Sequence, residues 1–230
     1  MGKYLIIGGT SGIGAAIVKR LSGAGHEIVS TFRKAAGEAL PGVTYHQFDS
    51  LDRSGQIDFV PDVLDGLVYC PGSISLKPFN RISTDDLLKD YESQVAGLLS
   101  VMKSVASRLK ASGNASVVTF STVAVSVGMP FHAQVAATKG AVEGISRALA
   151  AELAPIVRVN CIAPSLTDTP LASSLLGSPE KREGGAQRHP LKRIGTPEDL
   201  AAMAYFLLSQ ESSWITGQVL HVDGGISSLR

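Results

Sequence analysis

The sequence predicts an α/β fold: a doubly wound parallel sheet of about seven strands with helices on both faces, one domain over residues 1–230. Three observations predict it. Short apolar runs alternate with helix-period segments from end to end. The strand-like runs are continuously apolar rather than alternating, as strands covered on both faces are. The chain is 44% apolar and only 18% charged, with a mean hydropathy of +0.19, whereas about 25% of a soluble domain is usually charged. A sheet buried on both faces absorbs such an excess, and a subunit interface could take more.

The strand-like runs are residues 4–7, 28–32, 43–48, 67–70, 117–121, 158–162 and 218–222. A helix follows the first, with Ile13, Ile17 and Leu21 at i, i+4 and i+8. A long helix is predicted over residues 85–110, where Leu87, Tyr91, Val95, Leu98, Met102, Val105 and Leu109 share one face. Ser83, Thr84, Asp85 and Asp86 give it a cap and a negative first turn. Leu98, Leu99 and Met102 serve either the core or an interface. Ala137, Ala141, Ile145 and Leu149 mark another helix, and Pro197-Glu198-Asp199 opens the last. Residues 171–193 lack a pattern: Gly177, Pro179, Gly184, Gly185 and Pro190 lie among charges. That composition predicts a mobile substrate loop, a candidate lid, or simply a long surface loop.

With 21 basic and 20 acidic side chains, the net charge of +1 gives no case for nucleic acid or an anionic membrane surface. No apolar run reaches the ~18 residues of a membrane helix. Residues 111–138 lack Asp, Glu, Lys and Arg, but Gly113, Asn114, Ser116, Ser121, Gly128 and Pro130 interrupt them. This segment suits the neutral lining of an active site. Met1-Gly2-Lys3-Tyr4 leads straight into a strand with no leader pattern, so a cytoplasmic setting is expected. Cys70 and Cys161 form neither a metal-ligand spacing nor a disulfide framework, and no metal is expected.

Gly8-Gly9-Thr10-Ser11-Gly12-Ile13-Gly14 ends the first strand and opens the first helix. Gly8 permits a tight turn, Gly12 lets backbone approach a pyrophosphate, and Gly14 lets helix and strand pack closely. The free N–H groups and the positive end of the helix then face phosphate. This position makes the turn a Rossmann-type dinucleotide site. The second strand ends Ser30-Thr31-Phe32-Arg33-Lys34, without the carboxylate that holds an NAD ribose. Arg33 can pair with a 2′-phosphate, so NADP(H) is expected over NAD(H), unless Arg33 and Lys34 are ordinary surface charges.

These residues resemble the short-chain dehydrogenase/reductase family, especially its β-ketoacyl-carrier-protein reductase-like members, over nearly the whole chain. Gly8-x-x-x-Gly12-Ile13-Gly14 matches the family's glycine motif. Asp49 stands where the family's acid meets adenine, with Ser50 after it. Leu67-Val68-Tyr69-Cys70-Pro71-Gly72 stands at the Asn-Asn-Ala-Gly motif, matching only at Gly72. Arg158-Val159-Asn160-Cys161-Ile162-Ala163-Pro164-Ser165 resembles the motif on the nicotinamide side, with Ser165 replacing the usual Gly. Residues 190–199 and 215–225 resemble the family's endings. The resemblance implies a cofactor set of Gly8, Thr10, Ser11, Gly12, Ile13 and Gly14, then Phe32, Arg33, Lys34, Asp49 and Ser50, then Pro71, Gly72, Lys139, Pro164, Thr167 and Thr169. It also implies a homo-oligomer, tetramer or dimer, through residues 85–110, 139–153 and 213–230. The family's strand order would keep Cys70 and Cys161 two strand spacings apart, about 10 Å, and so as free buried thiols.

The family's Asn, Ser, Tyr and Lys tetrad is only partly matched. Lys139 is its Lys; Gln94, Thr122 and Val135 stand at the Asn, Ser and Tyr positions. Thr122 keeps a hydroxyl and Gln94 an amide, but Val135 cannot donate a proton. No other tyrosine replaces it: Tyr69 stands at a position used structurally, and Tyr91 is expected to pack in the core. His132, seven residues before Lys139, stands where the enoyl-reductase branch carries its tyrosine. It is either a proton donor or a rim residue without a role. The implied activity is NADP(H)-dependent hydride transfer to a small carbonyl or conjugated enone, with an altered proton donor. The alternative is a catalytically silent NADP(H)-binding protein.

Overall fold

The computed structural model describes residues 1–51 and 57–229. Among these residues there are seven strands: β1 (Lys3–Ile7), β2 (Glu27–Phe32), β3 (Val43–Gln47), β4 (Gly66–Tyr69), β5 (Ala115–Phe120), β6 (Val157–Pro164) and β7 (Val219–Val222). Each lies within two residues of its expected bounds. They form one parallel sheet in the order β3-β2-β1-β4-β5-β6-β7. The chain winds outward from β1 to β3, then crosses to β4 on the other side of β1. That reversal opens a crevice at the carboxyl ends of β1 and β4, where such sheets bind ligands.

Both faces of the sheet are covered. Successive residues of β1 point to opposite sides. Ile6 joins Ile28, Val68, Val118 and Ile162 beneath α1 (Gly12–Gly23) and α6 (Pro197–Leu208), which contribute Ile17, Leu21, Leu200 and Leu207. Leu5 joins Leu67, Val117 and Val159 on the other face, beneath α3 (Gly97–Ser112) and α4 (Ala133–Leu153). Each buried Leu or Ile contributes roughly 1.5–3 kcal/mol. Arg158 ties β6 to the end of α6: its guanidinium donates to the carbonyls of Leu207, Ser209 and Ser212, each at 3.0 Å. These are carbonyls that a helix end leaves without partners.

The long helix predicted over 85–110 is interrupted. Residues Thr84–Tyr91 form α2, Glu92–Ala96 form a π turn, and α3 follows. The π turn holds one extra residue, which rotates everything before it relative to the face expected from the spacing. Val95, Leu98, Met102, Val105 and Leu109 are buried as expected, which places Leu98 and Met102 in the core. Tyr91 is not: it is 45% exposed, and Asp90 points inward in its place.

The stretch 171–193 was expected as a loop, yet most of it is helical. A 3-10 helix spans Pro170–Leu175, and α5 spans Pro179–Gln187. With no apolar stripe, α5 is held at its start. Ser178 accepts from Lys181 N at 3.3 Å, and Arg182 pairs with Asp168 at 2.7 and 3.1 Å. Cys70 and Cys161 are free; Cys70 directly follows β4 and Cys161 lies in β6, the strands on either side of β5. Cys161 is buried, but Cys70, expected to be buried, is only partly so, because it follows β4 at the crevice. Among the described residues no helix is long and apolar enough to cross a membrane, and no side-chain group could hold a metal ion.

Candidate active site

A cavity of about 800 Å³ runs along the carboxyl ends of the strands. Gly8, Thr10, Ser11, Gly12, Ile13 and Gly14 line one part. Gly12 has a φ of +51°, open to glycine at little cost. A Cβ on Gly14 would lie 2.2 Å from the Gly8 carbonyl oxygen, so α1 and the turn are in contact through backbone alone. Gly8 N donates to Thr31 Oγ1 at 3.0 Å, fixing the turn to β2. Ser11, the N-cap of α1, makes no side-chain capping bond. The first N–H groups of α1 therefore face the cavity without a side-chain partner.

The next part carries Phe32, Arg33 and Lys34 after β2, and Asp49 and Ser50 after β3. Neither Arg33 nor Lys34 has an ion-pair partner among the described residues. Asp49 Oδ1 accepts from Leu51 N at 3.0 Å and shapes its own turn. Pro71 and Gly72 line the centre; Pro164, Thr167 and Thr169 line the far wall.

Thr122, His132, Val135 and Lys139 meet at the inner end. Lys139 is buried and donates from Nζ to the Phe120 carbonyl at 2.9 Å. Burial pushes its ammonium pKa down to about 8, opposed in part by Cys161, Asp90 and Cys70. Thr122 caps a short 3-10 turn, Val123–Val125, and its hydroxyl accepts from Ala124 N at 3.3 Å. Val135 is 6% exposed. His132 is the N-cap of α4, so it shares the cavity side with Val135 and Lys139 at i, i+3 and i+7. Its Nδ1 lies 2.7 Å from the Pro130 carbonyl, which only accepts; Nδ1 therefore carries hydrogen.

Gln94 does not line the cavity. It is fully buried on the π turn, and its Nε2 donates to Asp90 Oδ1 at 2.6 Å and to Ser73 Oγ at 3.2 Å. Its Oε1 has no hydrogen-bond partner among the described residues. A Cβ on Gly72 would lie 3.6 Å from that oxygen and 3.5 Å from Lys139 Nζ, so the two groups border one small space. Sequence reasoning missed the rest of this cluster. Buried Asp90 also accepts from Ser73 Oγ and, at 3.3 Å, from Thr138 Oγ1, and Ser73 reaches the cavity wall. An acid in a helix pattern reads as a solvated face unless the π turn is known. Tyr69 is excluded as an acid: it is buried, donates to the Ser93 carbonyl at 2.7 Å, and burial pushes its pKa up to about 12.

The sheet order, the glycine turn at the head of α1 and the Lys139 pocket define a dinucleotide-binding α/β protein. A family model described as enoyl-(acyl carrier protein) reductase matches residues 56–227. The chain is 33% identical over 245 residues to the 3-oxoacyl-[acyl-carrier-protein] reductase FabG of Thermotoga maritima, covering 96% of each. Among solved structures, the ligand-free aldohexose dehydrogenase of Thermoplasma acidophilum superposes with a TM-score of 0.91 at 27% identity, over 98% of this chain and 94% of that one. ElxO with NADP bound gives 0.88 at 26% identity, over 99% of this chain and 100% of its own. The chain belongs to the short-chain dehydrogenase/reductase family of oxidoreductases.

Proposed function

We propose that the protein is an NADP(H)-dependent oxidoreductase acting on a small carbonyl compound or conjugated enone. One observation carries this reading: a single cavity joins an uncapped helix start and two cations, unpaired among the described residues, at one end to buried Lys139 and Thr122 at the other. The site fits a phosphorylated dinucleotide, because Gly14 leaves no room for a Cβ and no carboxylate ends β2 to repel a 2′-phosphate. Reduced nicotinamide, when bound, supplies hydride. The chain's residues do the rest. Arg33 and Lys34 meet the extra phosphate, the head of α1 meets the pyrophosphate, and Lys139 holds the nicotinamide ribose. Thr122 donates a hydrogen bond at the reacting carbon's oxygen. Residues 171–193 cover the substrate. Val135, at the family's Tyr position, transfers no proton; His132 is one candidate to do so. The substitution also favours a second reading, a catalytically silent NADP(H)-binding protein.

NADPH oxidation against a panel of ketones and enones separates the two. Turnover of any member supports the enzyme; tight NADPH binding without turnover supports the silent binder. Arg33→Ala is expected to weaken NADPH binding about 10–100-fold and leave NADH binding unchanged, read by fluorescence titration, since a charge-assisted pair contributes about 1.5–3 kcal/mol. An unchanged NADPH-to-NADH ratio would count against NADP(H). Val135→Tyr is expected to raise ketone reduction by about 100-fold if only the acid is missing. No gain in a folded, NADPH-binding variant would show that more than the acid differs.

A further inference from the structure

The far wall of the cavity holds a hydrogen-bonded pair outside the tetrad pattern. Ser165 directly follows β6, between Pro164 and Thr167, and lines the cavity. Its Oγ lies 2.8 Å from Nε2 of His189, which also lines the cavity. His189 is 2% exposed, and its Nδ1 lies 2.8 Å from the Gly185 carbonyl in the last turn of α5. A carbonyl only accepts, so Nδ1 carries a hydrogen. In the neutral ring Nε2 is then the acceptor and Ser165 the donor, which leaves the lone pairs of Oγ toward the cavity. With a proton on Nε2 the bond reverses. Nε2 donates to Oγ, and the serine proton is released toward the cavity.

Both forms keep the bond from Nδ1 to Gly185, so the ring need not move. Backbone at Gly224 closes its far side; a Cβ there would lie 3.4 Å from the ring's Cδ2. The charged groups on the surrounding elements are Arg188 and Lys192 in the same segment, Asp168 beyond Ser165, and Asp223 beside Gly224. Asp168 is held by Arg182, and Asp223 accepts from Ser227 and Gly225 N. The ring's own bonds go to Gly185 and Ser165. A positive charge passing through it also meets the carbonyl end of α5. His132 stands at the opposite kind of helix end, the start of α4.

We infer that Ser165 and His189 form a proton relay to the reacting oxygen of the substrate, with Ser165 touching that oxygen and His189 behind it. This rests on the oxidoreductase reading and supplies what Val135 lacks. In reduction the carbonyl carbon gains a hydride from reduced nicotinamide, which is thereby oxidised, and the C=O π pair moves to oxygen. That oxygen forms its O–H bond with the Ser165 proton as the Oγ–H bond breaks. Oγ takes the proton on Nε2, and the neutral His189 regains one from water after product leaves. Alcohol oxidation runs the same steps backward.

The test compares Ser165→Ala, Ser165→Thr and His189→Gln with the wild type, using ethyl acetoacetate and cyclohex-2-enone as probes. Ser165→Ala and His189→Gln should lower kcat for the ketone by about 100-fold, and Ser165→Thr, which keeps a hydroxyl, by far less. NADPH dissociation constants should stay within about twofold throughout, showing an intact fold and cofactor site. Independently of turnover, ring ¹⁵N spectra of the apoprotein should show His189 Nε2 hydrogen-bonded, as acceptor in the neutral ring and as donor in the charged one, with a resonance that moves in Ser165→Ala. An active wild type with an equally active Ser165→Ala overturns the relay and leaves the oxidoreductase reading standing. An unmoved Nε2 resonance overturns the pair itself. A wild type that turns over neither probe nor any member of the wider panel overturns the oxidoreductase reading, and the relay with it.

Discussion

Replacing Lys139 with methionine should raise the melting temperature of the apoprotein and abolish NADPH-dependent turnover. The lysine is buried, has no ion-pair partner among the described residues, and donates to the Phe120 carbonyl. Burial lowers its pKa from 10.5 to about 8. Between those values the unfolded chain binds more protons than the folded one, so this group makes stability rise with pH across that window. Below about pH 8 the folded state carries the full cost of the buried charge. At about 1.4 kcal/mol per tenfold change in proton affinity, that cost is roughly 3 kcal/mol. Methionine has a similar length and removes the charge, but it forfeits the bond to Phe120, worth about 1–2 kcal/mol. The net gain is about 1–2 kcal/mol at pH 7, or about 3–6 °C in Tm. The gap between variant and wild type should narrow as pH rises from 8 toward 10.5. Thermal melts at several pH values read both signs; a variant melting lower at pH 7, or a gap indifferent to pH, would contradict the cost assigned to Lys139. Loss of turnover with a gain of stability is the signature of a group kept for its chemistry.

Most of the fold was legible because burial on two faces leaves a strong mark. Leu67-Val68-Tyr69 and Val117 through Phe120 are runs of the kind that a doubly covered strand leaves, and every residue in them is buried. The turn after β1 was legible too, since Gly8 and Gly12 hold positive φ and Gly14 meets the Gly8 carbonyl, demands that sequence spacing reports directly. The inner end was less so. A π turn at Glu92–Ala96 leaves the 4-4-3 spacing of apolar residues intact while rotating the residues before it. Tyr91 therefore read as core, and the structure instead exposes it and turns Asp90 inward. The helix α5 was hidden because caps and one ion pair hold it, not an apolar stripe. His189 was hidden with it. A histidine 24 residues after its serine partner, across a helix that composition does not reveal, gives no local signal.

Gly14→Ala should unfold the nucleotide end of the protein rather than merely weaken binding. The added Cβ would stand 2.2 Å from the Gly8 carbonyl oxygen and 3.0 Å from Gly9 Cα. Both obstacles are main chain, so no side chain can swing aside to make room. Either α1 moves off β1 or the turn opens. The first choice separates Ile17, Val18 and Leu21 from Ile6 and Ile28. The second breaks the bonds from Gly8 N to Thr31 Oγ1 and from Gly9 N to the Thr31 carbonyl. Overpacking of this kind costs about 1–3 kcal/mol where side chains can yield. Here about 4 kcal/mol is expected, with NADPH affinity falling at least about 100-fold because the head of α1 no longer faces the phosphates. Gly144 supplies the contrast. It is exposed in α4, and a Cβ there would meet nothing within 4 Å. Gly144→Ala should therefore stabilise by about 0.5–1 kcal/mol through helix propensity alone. Urea midpoints and NADPH titrations of the two variants separate steric from entropic effects of the same methyl group. A Gly14→Ala protein with wild-type midpoint and affinity would show that the turn at Gly8 yields, and that Gly14 owes its place to something other than contact with it.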